Sequence, residues 1–338
     1  MITIAAGRVS RREILRDGAV LAGGGLVAGL VPEALRSASS GRVGSCVLDV
    51  LQQASSAERL AQMRAQGASI PLETQKLRDN TYCLHGPGGN MVALNGPDGK
   101  ILVDSSYLAV APKLKASLDA IGNGPLKILI NTHWHFDHTD GNAPIHQGGA
   151  TICAHENTRK RLSTPQDVAG FGLHFDPAPA DAWPAQTFAD SMRLYFNGEE
   201  IELGYIQPAH TDGDIYVRYA NSNVLHMGDV FFNQLYPFID KSTGGSIDGM
   251  IAGAARGLTL ADSGTKIVPG HGAVSDKAGL EKYREMLATV RDRVQAKKRA
   301  GASVEETVAS KPTAEFDQEW GAGLVKADLF VAVVYSTL

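Results

Sequence analysis

"INTHWHFDHTDGN", residues Ile130 to Asn142, crowds three histidines and two aspartates between His133 and Asp140, directly behind the apolar text LKILI. A short apolar run of this kind reads as a buried strand. A strand that ends in so many titratable side chains hands them to a loop, which is where sites are built in layered α/β folds. In His133-x-His135-x-Asp137-His138 a tight turn aims the alternate histidines at one metal, while Asp137 and His138 point to a neighbouring position. Neutral imidazoles and a carboxylate are ligands that a borderline cation such as Zn2+ accepts, at roughly 2.0 to 2.2 Å.

Three further metal-capable residues stand where a strand gives way to a loop. His210 in QPAHTDGD follows a strand and a proline, Asp229 in VLHMGDVFF follows an apolar run and a glycine, and His271 in KIVPGHG sits between glycines. Around them the pattern alternates between strand and helix. NTYCLHG, GNMVALNGP and KILVDSSY read as short strands, with GPDG at 96–99 as the hairpin turn. The helical text APKLKASLDAIG then leads to LKILINT, a βαβ arrangement that ends at the histidine cluster. More strands are expected in GATICAHE, at 192–196, in EEIELGYIQP, in KIVPG, and as a hairpin pair in GDIYVRYANSNVLHMGDV. Helices are expected at 47–66, 156–163, 248–260, 276–299, 303–309 and 323–335. Segment 170–190, rich in proline and aromatic residues, reads as an ordered loop.

These motifs, in this order, resemble the metallo-β-lactamase superfamily over nearly all of residues 70–275. The resemblance implies an α/β fold in four layers, an αβ/βα sandwich, with the site along one edge. It implies two Zn2+ per chain: His133, His135 and His210 on the first, Asp137, His138 and His271 on the second, and Asp229 as the bridge. A histidine stands at 135, where the oxygen-reducing diiron branch carries a glutamate, and this favours zinc hydrolysis over redox chemistry. The implied reaction is attack on a carbonyl by a hydroxide held between two cations about 3.5 to 4 Å apart. Asp137 would orient the nucleophile and pass a proton, and Asn233 would donate to the developing oxyanion. Asp104, ending KILVD, would buttress a ligand histidine, and His226 is a second candidate for such a supporting role. Trp134, Trp183, Phe232 and Tyr236 are candidate pocket walls, and GPGGN at 86–90 is a candidate flexible flap. His85, His146, His155 and His174 read as packed or surface histidines.

The expected substrate is a small molecule with a cyclic amide or ester, β-lactams first. Asp229 stands where many β-lactamases of this fold carry a cysteine, and resembles instead glyoxalase II, the lactonases and the phosphodiesterases. The spacings of 19 residues from His210 to Asp229 and 42 from Asp229 to His271 are similar to those of the cysteine-type lactamases. A lactonase or esterase of the same fold is the alternative; a non-catalytic periplasmic metal-binding protein and an iron oxidoreductase are alternatives of another class.

Composition sets the remaining bounds. The chain has 338 residues, 43% hydrophobic and 20% charged, which suits a globular protein with a sizeable core. Its three cysteines show no CxxC spacing, so no disulfide framework or cysteine-rich zinc module is indicated. Arg11 and Arg12 in SRREIL precede a 13-residue, glycine-diluted apolar run, Ala19 to Val31, too short for a stable membrane anchor. The pair resembles a twin-arginine signal, which implies export of the folded protein to the periplasm, with cleavage near Ser39 or Ser40; a lipid on Cys46 is the lesser alternative. Beyond residue 40, 27 basic residues face 33 acidic ones, a net charge of −6, and no basic cluster with interleaved aromatics argues for nucleic acid. The expected divisions are a signal at 1–40, a helical segment at 41–69, the main domain at 70–302 and a helical extension at 303–338. Oligomeric state is left open.

Overall fold

The structure, a computed structural model, describes residues 55–338. The expected signal at 1–40, its cleavage site, Cys46 and the start of the leading helix lie outside the described residues. The chain enters through helix α1 (Ser56–Ser69), whose N-cap Ser55 and Glu58 close a reciprocal capping box. This helix runs three residues past the expected end and stops before Pro71, because the residue preceding a proline is pushed out of the helical region.

Strands β1 (Glu73–Lys76), β2 (Thr81–His85), β3 (Met91–Gly96) and β4 (Gly99–Val103) follow as an antiparallel meander. Gly96 pairs with Gly99 across the expected two-residue turn. Helix α2 (Ala111–Ala120) carries the chain over to β5 (Leu126–Ile130), parallel to β4, as the βαβ reading expects. Short helices α3 (Phe136–Thr139) and α4 (Asn142–Gln147) lead to β6 (Thr151–His155), and α5 (Glu156–Leu162) leads to a small hairpin, β7 (Gln166–Val168) and β8 (Leu173–Phe175). Strand β9 (Gln186–Phe188) joins β6 in parallel and completes a seven-stranded sheet. The segment expected as a loop at 170–190 therefore holds β8 and β9; three-residue strands among prolines leave no periodicity to detect.

A second, five-stranded sheet is built from β10 (Ser191–Phe196), β11 (Glu199–Tyr205), β12 (Ile215–Tyr219), β13 (Val224–His226) and, after helix α6 (Ile247–Leu260), the parallel strand β14 (Lys266–Val268). Helices α7 (Lys277–Arg299), α8 (Val304–Ala309), α9 (Asp317–Trp320) and α10 (Ala327–Thr337) close the chain.

Side-chain alternation sorts these elements into four layers. Val92, Leu94, Ile101, Val103 and Ile130 of the first sheet meet Ile201, Leu203, Val217, Val224 and Val268 of the second. The opposite face of the first sheet, with Met91, Ala93, Leu102 and Leu129, packs on Leu114 and Leu118 of α2. Leu225 and Ile267, on the outer side of the second sheet, share a core with Met250 and Ala254 of α6 and with Leu280, Tyr283 and Leu287 of α7. Because β3 and β4 are covered on both faces, they read as continuous apolar runs, not as alternating ones. The C-terminal helices join that third core through Trp320, Phe330, Val331 and Val334. The result is an α/β sandwich whose strand ends gather at one edge. Among the described residues no helix is long and apolar enough to cross a membrane.

Candidate metal centre

Asp104 follows β4, His133 to His138 follow β5, His210 lies between β11 and β12, Asp229 follows β13, and His271 follows β14. The fold thus brings all seven expected ligands together at one edge. Their ligand atoms form two groups, His133, His135, His210 and Asp229 in one and Asp137, His138 and His271 in the other. Asp229 reaches both: Oδ2 lies 3.5 Å from His210 Nε2 and 3.4 Å from His271 Nε2, and Oδ1 lies 3.1 Å from His138 Nε2. Asp137 Oδ2 is 3.2 Å from His271 Nε2 and 3.7 Å from His138 Nε2.

The rear nitrogen of each ring fixes what the front one offers. His210 Nδ1 donates to the Phe238 carbonyl at 2.8 Å, and His135 Nε2 donates to Asp240 Oδ2 at 3.1 Å. Their front nitrogens, His210 Nε2 and His135 Nδ1, then face each other at 2.8 Å as two lone pairs. Such a pair repels unless a cation lies against both. His133 donates from Nδ1 to Thr132 Oγ1 at 3.1 Å, a hydroxyl that itself donates to Asp104. Its Nε2 is buried with no hydrogen-bond partner, and His138 Nε2 and Asp229 Oδ1 face one another at 3.1 Å as an ion pair. A buried His133 nitrogen without a partner, two opposed lone pairs and a carboxylate that reaches both groups are what bound metal ions would satisfy.

Electrostatics divide the two groups. Burial drives the His210 imidazole down to about 4 and holds His133 well below its ordinary range, the neighbouring histidines adding to the effect at His133. Both are neutral, ligand-ready rings. Burial also opposes charge on His138 and His271, but the Asp229 and Asp137 carboxylates outweigh it, with Asp104 adding at His138. His271 is raised to about 9 and His138 well above its usual value. In the metal-free chain, protons therefore stand at the second group where a cation would otherwise balance the carboxylates.

Asp104 acts as expected of a buttress: it accepts from His138 Nδ1 at 2.8 Å, from the Thr132 hydroxyl at 2.7 Å and from the Thr132 amide at 2.8 Å. His226 accepts from the Gly228 amide and bonds the Asn90 carbonyl, which fixes the turn carrying Asp229. GPGGN is no flap. The Gly89 amide donates to the Asp137 carbonyl, the Asn90 amide donates to Gly270, and the Asn90 side chain donates to Pro269 and Gly272. A Cβ on Gly89 would lie 2.0 Å from the His138 ring, so the loop is packed against the centre.

The remaining expected site residues make the following contacts. Asn233 lies beside the His271 loop: its backbone amide donates to the His271 carbonyl, and its side-chain amide spends one of its two N–H groups on the Ala273 carbonyl at 2.9 Å. Tyr236, 1% exposed, stacks on Phe330 and donates to Asp317 in the third core. Trp183 donates to the Ala178 carbonyl and carries Arg159 over its ring. Trp134 and Phe232 do adjoin the centre, edge-on to His135 at 4.6 Å and stacked on His271 at 5.2 Å.

The profile of the metallo-β-lactamase superfamily matches residues 86–289, more than half of the chain. The chain belongs to the metallo-β-lactamase superfamily. Over 186 residues it is 27% identical to a "probable metallo-hydrolase" of Methanocaldococcus jannaschii, covering 52% of this chain and 84% of that one. Over 163 residues it is 24% identical to the alpha subunit of a 2,4-dinitroanisole O-demethylase of Nocardioides sp., covering 48% of this chain and 47% of that protein. Among solved structures, a subclass B3 metallo-β-lactamase of Bradyrhizobium japonicum superposes with a TM-score of 0.54 at 22% identity, covering 70% of this chain and 98% of that one. A sec-alkylsulfatase of Pseudomonas sp. reaches 0.59 at 16% identity, over 85% of this chain and 54% of that one. Membership makes the chain a metal-dependent hydrolase, and the strand-end cluster is the group of residues able to hold its metal.

Two supports of this metallo-β-lactamase-type centre carried no motif in the sequence. Asp240 is buried and accepts from His135, from the Ser242 amide at 3.0 Å and from Thr243 Oγ1 at 2.8 Å. Burial opposes its charge, yet these donors hold its carboxyl well below the usual range. Asp214 accepts from the His210 amide at 2.7 Å and the Thr211 amide at 2.9 Å, and burial still pushes its carboxyl up to about 7. A signal for Asp240 was present in the run Asp240-Lys-Ser-Thr, where an aspartate leads two hydroxyl residues into a turn.

Proposed function

We propose that the chain is a dinuclear zinc hydrolase of the periplasm that opens a cyclic amide or ester, β-lactams foremost. The observation that carries this reading is the placement of Asp229, whose two oxygens reach both ligand groups at 3.1 to 3.5 Å beside a buried His133 nitrogen that has no hydrogen-bond partner. Bound Zn2+ supplies Lewis-acid polarisation and makes water acidic enough to act as a nucleophile near neutral pH. The chain's own residues do the rest. Neutral imidazoles, oriented from behind by Asp240, Phe238, Thr132 and Asp104, hold the two positions. Burial opposes the charge of Asp137, but His138 and His271 bring its carboxyl down to about 2. It is therefore ionised at working pH and, being 16% exposed at its side chain, can accept the proton of an attacking water and return it to the leaving atom. Phe232 and Trp134 give the centre apolar flanks.

The aspartate at 229 supports a second reading, hydrolysis of a lactone or ester, for which the same residues suffice. The demethylase relative supports activated oxygen leaving groups as well. The test is turnover of a chromogenic cephalosporin, beside an aliphatic lactone and an aryl ester, by the zinc-loaded chain, with His133→Ala and a chelator as controls. Cephalosporin turnover lost in both controls supports the lactamase reading. A protein holding two zincs that opens only the lactone or ester moves the assignment to the second.

A further inference from the structure

The loop between β4 and α2 holds the side chain to which no role has yet been given. Asp104 and Ser106 both adopt left-handed backbone, φ +62° and +56°, a conformation costly for residues other than glycine. The loop is bolted into this shape: the Ser105 amide donates to the His138 carbonyl, the Gly141 amide donates to Ser106, and the Asp104 amide donates to Ile130. One effect of the shape is the Asp104 contact to His138 already described. The other is the position of Tyr107.

Its ring packs on Phe136, centroids 5.5 Å apart, the residue between His135 and Asp137. From behind it is held by α1, where a Cβ on Gly67 would come within 2.4 Å of the ring. The side chain is only 8% exposed. No hydrogen bond ties its hydroxyl to another described residue, and that oxygen is absent from the buried polar atoms lacking partners, so it meets solvent. The charged groups it senses are Asp137, Asp140, Asp229 and Arg64, two of which are ligands of the centre. Burial first, and these carboxylates next, raise the phenol well above its ordinary value, so it remains a donor. A nearly buried tyrosine whose ring is fixed on both sides and whose hydroxyl has no hydrogen-bond partner among the described residues can donate to something that arrives from outside.

We propose that Tyr107 is a substrate-facing hydrogen-bond donor at the mouth of the centre, recognising a carbonyl or carboxylate oxygen beside the scissile bond. This rests on the hydrolase reading above. The test compares zinc-loaded wild type with Tyr107→Phe, which keeps the ring and removes only the donor. Two readouts are kept apart: kcat/KM on whichever of the cephalosporin, lactone or ester the wild type opens, and calorimetric binding of phenylacetate, a carboxylate that cannot react. Loss of a single such donor is expected to lower kcat/KM and phenylacetate affinity each by about tenfold to a hundredfold, with two zincs bound and an unchanged melting temperature in both proteins. Equal kcat/KM and equal phenylacetate affinity in the two proteins would overturn the proposal and leave the hydrolase reading standing. A wild type that turns over none of the three but binds phenylacetate through Tyr107 would sink the amide-or-ester reading and keep the donor. A wild type that neither turns over nor binds would overturn both.

Discussion

Replacing Asp240 by asparagine removes one charge and no volume, yet the hydrogen bonds around it leave the amide no good orientation. Oδ1 of Asp240 accepts from the Ser242 amide and hydroxyl, and Oδ2 accepts from Thr243 Oγ1 and His135 Nε2. An amide NH2 at the first position would face the Ser242 N–H, donor against donor. At the second it would face His135 and favour the tautomer with its proton on Nδ1, the nitrogen that meets His210 at 2.8 Å and that a metal must use. Outer partners of this kind are worth roughly 10- to 100-fold in metal affinity, or about 1.4 to 2.8 kcal/mol. Asp240→Asn is therefore expected to weaken the first zinc by that factor, read by competition against a chromophoric chelator, while the second zinc is held as before. Unfolding of the metal-free protein, followed in parallel, separates this effect from a general loss of stability. Equal first-zinc affinity in the two proteins would refute the claim that Asp240 sets the tautomer of His135.

Other expectations follow from the same geometry. Gly270→Ala would place a Cβ 1.9 Å from Asp229 Oδ1 and should abolish turnover, at a cost of roughly 1 to 3 kcal/mol in denaturant unfolding. Because His271 is raised to about 9 and His138 well above its usual value, a metal at the second group must displace their protons, and its affinity should fall by at least tenfold for each pH unit below 9, as zinc titrations at several pH values would show. Chelation should lower the melting temperature, since zinc present at a thousandfold over its Kd adds about 4 kcal/mol to the folded state. Arg64→Ala breaks the two-point ion pair with Asp140; with the arginine 40% exposed the loss should stay near 0.5 to 1 kcal/mol by chemical denaturation.

The convergence of the seven candidate ligands was legible because each is a titratable residue set where an apolar run stops, a pattern that strand geometry alone turns into convergence. The βαβ step at β4, α2 and β5 was legible for a related reason, as period and turn residues changed together. Asp240 was legible only as a turn residue ahead of Ser242 and Thr243, because its place behind His135 is set by the path of the loop and not by that local run. Closeness in sequence to Asp229 suggested Tyr236 as a pocket wall, but its ring lies in the third core. Over 231–238 the chain turns Phe232 toward His271 but Tyr236 toward Phe330, and no short-range pattern encodes that split. Tyr107 escaped notice because its position depends on two left-handed residues that are neither glycine nor asparagine.

His135 meets the centre with Nδ1, two bonds from its Cβ, whereas His138, His210 and His271 use Nε2, three bonds out. The cluster is thus spelled in two side-chain lengths, although histidine occupies every one of these positions. An amide oxygen sits two bonds from Cβ in asparagine and three in glutamine. Asparagine is accordingly the replacement that can still reach from position 135, and glutamine the one that can reach from 210, so swapping the two would leave each either short of the metal or pressed into it.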